Sequence, residues 1–221
     1  SNYRIVGFTQ TTDVSDMNDL GVPLVADIGS GLLDSACPWL ENGPPKWLLD
    51  EPAARQTLES GADLVTFSGD KLFGGPQAGI IAGRSDLIQR CAEHPLARAL
   101  RPGSLTMSAL QEVAISYLER KGSSIPFWKM ATSSVDELLS RAKKIDPKLS
   151  TNTFATPGGG TLPGVEIPSA GLHLEGSHVE FFRQQDPPII CRMEDNRTVI
   201  DLMTVHPNDD VFIDKAIKKI H

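Results

Sequence analysis

Cysteine is scarce in this sequence and never paired: Cys37, Cys91 and Cys191 lie far apart and no C-x-x-C occurs. That excludes a disulfide framework and a thiolate zinc site, and makes a reducing cytoplasm the expected compartment. No apolar run approaches the length that crosses a bilayer, and no signal-peptide pattern opens the chain. Basic residues are outnumbered, 21 against 28 acidic, for a net charge of −7. Broad electrostatic adhesion to nucleic acid needs the opposite balance, so only a local basic patch is left open. His94, His173, His178, His206 and His221 follow no metal-ligand spacing and read as capping or surface groups. The commoner catalytic signatures are missing as well. No G-x-S-x-G elbow occurs, and Gly29-Ser30-Gly31 lacks the third glycine of a dinucleotide fingerprint. The glycine loop over residues 157–164 lacks the Lys-Ser/Thr ending of a P-loop. No internal repeat or low-complexity tract stands out.

What remains is an ordinary globular composition, 40% hydrophobic and 22% charged over 221 residues. That suffices for one large domain or one and a half smaller ones. Residues 1–8 already read as a strand, so the chain is expected to be a fragment or a processed piece. Residues 11–20 read as a short capped helix ended by Gly21, and 22–27 as a buried strand. Residues 34–50, with Pro38, Pro44, Pro45, Trp39 and Trp47, form an irregular excursion. A helix over 51–60 leads to a second buried strand, 62–67, and then to another such apolar run, 80–83. Strand–helix–strand alternation predicts an α/β layer with parallel strands.

Residues 85–93 read as a helix capped by Ser85, with Asp86 in its first turn and His94-Pro95 ending it. Residues 105–120 repeat apolar side chains, Tyr117 among them, at helical spacing, and read as a packing helix between domains or subunits. Composition shifts at 121–126, dividing a first domain, 1–121, from a smaller α+β domain, 122–221. In the latter, helices are predicted over 134–145 and 209–220. Strands are predicted over 169–174, 189–193 and 198–203, with a hairpin turn at 194–197.

The chemistry gathers at Ser68-Gly69-Asp70-Lys71-Leu72-Phe73-Gly74-Gly75-Pro76-Gln77-Ala78-Gly79. Lys71 stands where a buried strand gives way to a glycine-rich turn, and Gly74, Gly75 and Gly79 let a partner approach closely. A lysine so placed sheds part of its hydration, which favours the neutral amine needed for Schiff-base chemistry. The plain alternative is a surface lysine at an ordinary turn. Asp27 ends the earlier strand, where an open parallel sheet collects its functional groups, or it merely caps the next turn. Arg98 and Arg101 share a face if their turn is helical, either as a binding pair or as a solvated one.

Asp27 at one strand end, with Ser68 and Lys71 after another, resembles the fold type I (aspartate aminotransferase-like) pyridoxal-phosphate enzymes. The Ser-Gly-Asp-Lys-Leu-x-Gly-Gly-Pro-Gln-Ala-Gly run narrows the match, together with Asp27-Ile28-Gly29-Ser30-Gly31 and His94-Pro95-Leu96…Arg98-Ala99-Leu100-Arg101. Gly159-Gly160-Thr161-Leu162-Pro163 and Ile190-Cys191-Arg192 follow in order. Together these are similar to the bacterial selenocysteine synthase family, L-seryl-tRNA(Sec) selenium transferases, over nearly the whole chain.

The resemblance implies an α/β fold in which 1–121 is the C-terminal part of the cofactor-binding large domain and 122–221 the small domain. It implies pyridoxal 5′-phosphate held by Lys71 as an internal aldimine, with Asp27 at the pyridinium nitrogen and Ser68 at the phosphate. Asp70 would handle a proton at the leaving hydroxyl, and Arg98 and Arg101 would bind the oxyanion of the selenium donor. The implied reaction converts seryl-tRNA(Sec) to selenocysteinyl-tRNA(Sec) with selenophosphate, through an aminoacrylyl intermediate, in a cytoplasmic homo-oligomer. Arg192 would either face the site or pair structurally. The family's N-terminal tRNA-contacting domain and the first half of its large domain have no counterpart here, and residues 144–154 are short for it. Two other readings stay open: a lyase relative acting on a small amino sugar or amino acid, and a truncated scaffold that holds no cofactor.

Overall fold

The computed structural model describes residues 7–8, 12–48, 50–158 and 161–220. The expected opening strand lies outside them apart from Gly7 and Phe8, which form a bend; Gly159, Gly160 and His221 also lie outside. Two compact units emerge: Ser1–Lys129 with Gly158–Val165, and Met130–Pro157 with Glu166–His221.

The first unit is built on strands β1 (Val25–Gly29), β2 (Leu64–Ser68) and β3 (Gly79–Gly83), in the order β1-β2-β3 among the described residues. β2 buries Leu64, Val65 and Phe67, as a central strand rich in branched and aromatic residues should. β1 and β2 are parallel, with Asp27 opposite Thr66. β3 departs from the parallel expectation: it returns antiparallel, with Ser68 opposite Gly79. Residues 69–78 are too few for a crossover to a parallel neighbour. Nor is β3 the buried run its composition suggested, since its residues are exposed and half-buried in turn and Ile81 is 47% exposed.

The expected helix over 11–20 shortens to a 3-10 turn, Val14–Met17. α1 (Ala54–Glu59) is started by backbone rather than a side-chain cap: its first amides, of Ala54 and Arg55, donate to the carbonyls of Leu32 and Leu33 at 2.8 and 3.0 Å. α2 spans Ser85–Glu93, but Ser85 is its first helical residue rather than its cap. The N-cap is Arg84, whose guanidinium bridges Asp63 and Asp86 instead. α3 (Pro95–Ala99) follows at once, its Leu96 amide held by His94 Nδ1 at 3.2 Å. α4 (Ser104–Leu118) is apolar yet buries no residue, with Leu105 86% and Leu118 85% exposed.

α5 (Pro126–Ala131) contributes Trp128, fully buried in a core cluster with Leu32, Trp39, Leu72 and Ile125. Leu162 of the returning segment completes that cluster. A second cluster joins Ile28, Val65, Phe67 and Phe73.

The second unit is α+β. Strands β4 (Ser150–Ala155), β5 (Ile167–Glu175), β6 (Arg192–Glu194) and β7 (Arg197–Asp201) form an antiparallel sheet in the order β4-β5-β7-β6. Helix α6 (Val135–Ile145) packs on it, with Leu138 and Ala142 buried. α7 (Val179–Arg183) lies between β5 and β6 in sequence, and α8 (Asp210–Ile217) packs on α6. The expected hairpin is present, with Asp195 and Asn196 at φ 45° and 60° as a tight primed turn requires. The strand expected over 189–193 begins only at Arg192; the Ile189 amide donates to the Phe182 carbonyl at 2.9 Å rather than to a strand partner.

One guanidinium ties this unit together. Arg141 donates to both carboxylate oxygens of Asp210 (2.7 and 3.0 Å) and to the carbonyls of Leu202 and Val205 (3.3 and 2.9 Å). Arg141→Ala leaves those acceptors half-buried without their donor and is expected to cost about 2–3 kcal/mol in urea unfolding. Lys218→Ala, which removes only an exposed pair with Asp214, should leave the midpoint nearly unchanged.

Candidate functional site

Parallel β1 and β2 end side by side, and the turns that leave them are drawn into contact. The Leu72 amide donates to the Ser30 carbonyl at 2.8 Å. Gly31, at φ +78°, lies so close that a Cβ there would stand 2.7 Å from the Ser68 carbonyl oxygen. Only glycine permits that approach. The lysine turn is folded equally tightly. Gly69 N donates to Ala78 O (2.8 Å), Gly75 N to Gly69 O (2.8 Å) and Gly74 N to Lys71 O (2.9 Å).

Alternation along the strands puts Val25, Asp27, Leu64, Thr66 and Ser68 on one face, where they line a cavity of about 1230 Å³. Gln77 and Arg90 join its wall. Asp27 and Ser68 are thus brought together. Lys71 stands three residues beyond Ser68, half-buried in the turn and not part of that wall, and Asp70 is exposed. Asp27 also does what its plainer reading foresaw: its Oδ1 accepts from the Gly29 amide at 3.1 Å.

The arginines do not share a helical face. α3 ends at Ala99, so Arg98 lies in its last turn and Arg101 beyond it; both are exposed. Arg101 lines a separate cavity of about 690 Å³ with Phe73, Ser104, Ser108 and Gln111. Arg192 is engaged within the second unit, by Asp201 (3.2 Å), Glu194, Thr153 Oγ1 (3.1 Å) and the Phe154 carbonyl (2.6 Å). These contacts are the structural pairing that one of its two readings expected.

Several neighbours of the site went unread in the sequence. Thr66 and Gln77 share the cavity wall, and the buried Ser30 Oγ has no hydrogen-bond partner. Tyr117 reaches from α4 to the lysine turn: its hydroxyl donates to the carbonyls of Leu72 and Phe73 and accepts from Trp128 Nε1. Burial raises the Tyr117 hydroxyl above its ordinary pKa and pushes the Cys37 thiol up to about 12, so neither ionises near neutrality. The one signal that could have pointed to this corner is aromatic residues gathering from an otherwise aromatic-poor chain. Among the described residues no group of three or more His, Cys, Asp or Glu could hold a metal ion, and no helix is long and apolar enough to cross a membrane.

A family model described as "SelA: L-seryl-tRNA selenium transferase" matches residues 1–206. The chain belongs to that family. Relatives named L-seryl-tRNA(Sec) selenium transferase include that of Aquifex aeolicus (strain VF5), 36% identical over 100% of this chain and 52% of the relative. That of Alkaliphilus metalliredigens (strain QYMF) is 34% identical over 100% of this chain and 50% of its own length. The chain spans about half the length of these SelA relatives. Among solved structures, a D-glucosaminate-6-phosphate ammonia-lyase superposes with a TM-score of 0.62 at 19% identity, over 100% of this chain and 55% of that one. The two share a fold, and the class is the one expected, the α/β fold type I of the aspartate aminotransferase-like enzymes.

In this SelA chain the turn after β1 is fastened to α1 by Asp34. Its Oδ1 accepts from the Ala36 amide and Gln56 Nε2 (2.9 Å each), and its Oδ2 from Arg55 (3.0 Å). The Ala36 amide first, then Gln56 and Arg55, hold this carboxyl below the usual range against the opposing effect of burial. Its folded pKa therefore lies below the unfolded value, so its stabilisation is present above about pH 4 and is lost as pH falls through the folded pKa. Asp34→Asn should lower Tm at neutral pH and flatten its decline as pH falls below about 4, read by circular dichroism. Parallel acid declines for the two proteins would show that Asp34 is not the source.

Proposed function

We propose that this chain carries the lysine-bearing part of an enzyme that converts seryl-tRNA(Sec) to selenocysteinyl-tRNA(Sec) with selenophosphate, using pyridoxal 5′-phosphate. The observation that carries the reading is the pair of apposed turns, which sets Asp27 and Ser68 on one wall and Lys71 directly after it. The residues present fit the cofactor. A carboxylate and a hydroxyl share one cavity wall, the lysine turn leaves from its edge, and the neighbouring backbone is packed too tightly at Gly31 and Gly69 for any side chain. Pyridoxal phosphate, when bound, supplies an electron sink for the carbon that loses its proton.

The protein's own groups do the rest. Lys71 would hold the cofactor and, as a free amine, would take the proton from the substrate α-carbon. Asp27 would hold the cofactor at its ring nitrogen, where a carboxylate favours the protonated ring. Ser68 would hold its phosphate, and Asp70 would handle the proton at the departing hydroxyl. Arg98 and Arg101 bind the oxyanion of the selenium donor, a task suited to guanidinium forks. We assign the reaction to the cytoplasm and to a homo-oligomer. Exposed Leu105, Met107 and Leu118 on α4 favour burial against another polypeptide surface.

Borohydride reduction followed by mass spectrometry should find a pyridoxyl adduct on Lys71, and none in Lys71→Ala; an adduct that persists in the variant overturns the assignment. Arg98→Ala with Arg101→Ala should keep the cofactor and slow selenium transfer at least about tenfold, the loss of charge-assisted hydrogen bonds. Loss of cofactor in that double variant would place the arginines elsewhere in the chemistry. Turnover of a free amino sugar or amino acid without tRNA would favour the lyase reading.

A further inference from the structure

The peptide units that follow Lys71 are gripped by a side chain from a distant helix. The Tyr117 hydroxyl lies 3.2 Å from the Leu72 carbonyl oxygen and 3.0 Å from that of Phe73. A hydroxyl has one proton, so the two carbonyls share it, and its oxygen accepts from Trp128 Nε1 at 2.7 Å. The rings are locked in turn. Phe73 stacks on Tyr117 with centroids 5.4 Å apart, and Trp39 meets it edge-on at 4.7 Å. Leu72 and Trp128 are fully buried.

An aromatic cluster that served packing alone would be satisfied by phenylalanine at position 117. A buried hydroxyl carries a desolvation cost that only its hydrogen bonds offset. Here the hydroxyl donates to the carbonyls of the two residues that follow the lysine, and the bond it accepts, from Trp128, holds it there.

We propose that Tyr117, braced by Trp128, is the positioning residue for Lys71: it fixes the Leu72–Phe73 and Phe73–Gly74 peptide units, and through Gly74, whose amide donates to the Lys71 carbonyl, the lysine's own, so that the amine leaves the turn in a single direction. This rests on the reading of Lys71 as the cofactor-bearing amine. Raised by burial, the phenol stays a donor at any working pH. Tyr117 itself touches neither substrate nor cofactor in this role; it acts through the backbone.

The test uses the intact protein with Tyr117→Phe, the double variant Tyr117→Phe/Trp128→Phe, and Lys71→Ala as the control for loading. Three quantities are measured: Tm without cofactor, the dissociation constant for pyridoxal phosphate, and the rate at which hydroxylamine strips it. Tyr117→Phe should bind the cofactor about tenfold more weakly and lose it to hydroxylamine about tenfold faster, the loss of one hydrogen bond. The double variant removes donor and acceptor together and leaves no buried Nε1 stranded. The smaller ring leaves a cavity in the aromatic core and lowers the cofactor-free Tm, yet the double variant should show the same weakening of cofactor binding as Tyr117→Phe, not twice it. If Tyr117→Phe is not folded at the assay temperature, its affinity and stripping rate are read below its Tm, where unchanged values overturn the inference. A lowered Tm with unchanged cofactor affinity and stripping rate marks a merely structural tyrosine and overturns the inference. Failure of the parent protein to load Lys71 overturns the cofactor reading and this inference with it; normal loading in parent and variants alike overturns this inference alone.

Discussion

The site depends on one backbone contact, the Leu72 amide on the Ser30 carbonyl, and on the missing side chain at Gly31 that lets the two turns meet. Asp27 lies in β1 and Lys71 in the turn after β2, and parallel pairing alone would align the strands without closing the turns. The contact is sustained from both sides by packing. Leu72 enters the core that holds Leu32, Trp39 and Trp128, while Phe73 enters the core that holds Ile28, Val65 and Phe67. Two consecutive residues anchored in two different clusters cannot both rotate, so the residue before them inherits a fixed backbone.

Much of the layout was written locally. β2, the bounds of α2 and the hairpin at Asp195-Asn196 follow from apolar runs, a proline stop and turn residues, each acting within a few positions. β3 was harder because Gly-Ile-Ile-Ala-Gly says that a strand forms, not how many neighbours will cover it. β4 escaped notice because Ser-Thr-Asn-Thr carries little apolar signal, and its place comes from pairing with β5. The helical face assumed for Arg98 and Arg101 fails at Pro102, which disfavours helical geometry for the residue before it.

At the candidate site, the residues singled out in advance were those whose chemistry is rare where they stand: a lysine before paired glycines and an aspartate read as a strand end, though β1 runs two residues past it to Gly29. Ser30, Thr66 and Tyr117 were not legible, because their parts come from contacts between segments far apart in sequence. Arg192 shows the opposite hazard. Its composition and place suited a substrate contact, yet Asp201, Glu194, Thr153 and the Phe154 carbonyl already occupy its donors. A guanidinium engaged by its own sheet ties β4, β6 and β7 together.

The aromatic corner has an optical consequence. Trp39, Trp47 and Trp128 are the chain's three tryptophans, and ring contacts link all of them beside the lysine turn. The second unit contains no indole and no phenol, only phenylalanine. Intrinsic emission is therefore a local witness to the first unit: a fluorescence melting curve follows the ground under Lys71 and is blind to the sheet of β4 to β7, whose unfolding only backbone dichroism or hydrogen exchange will register.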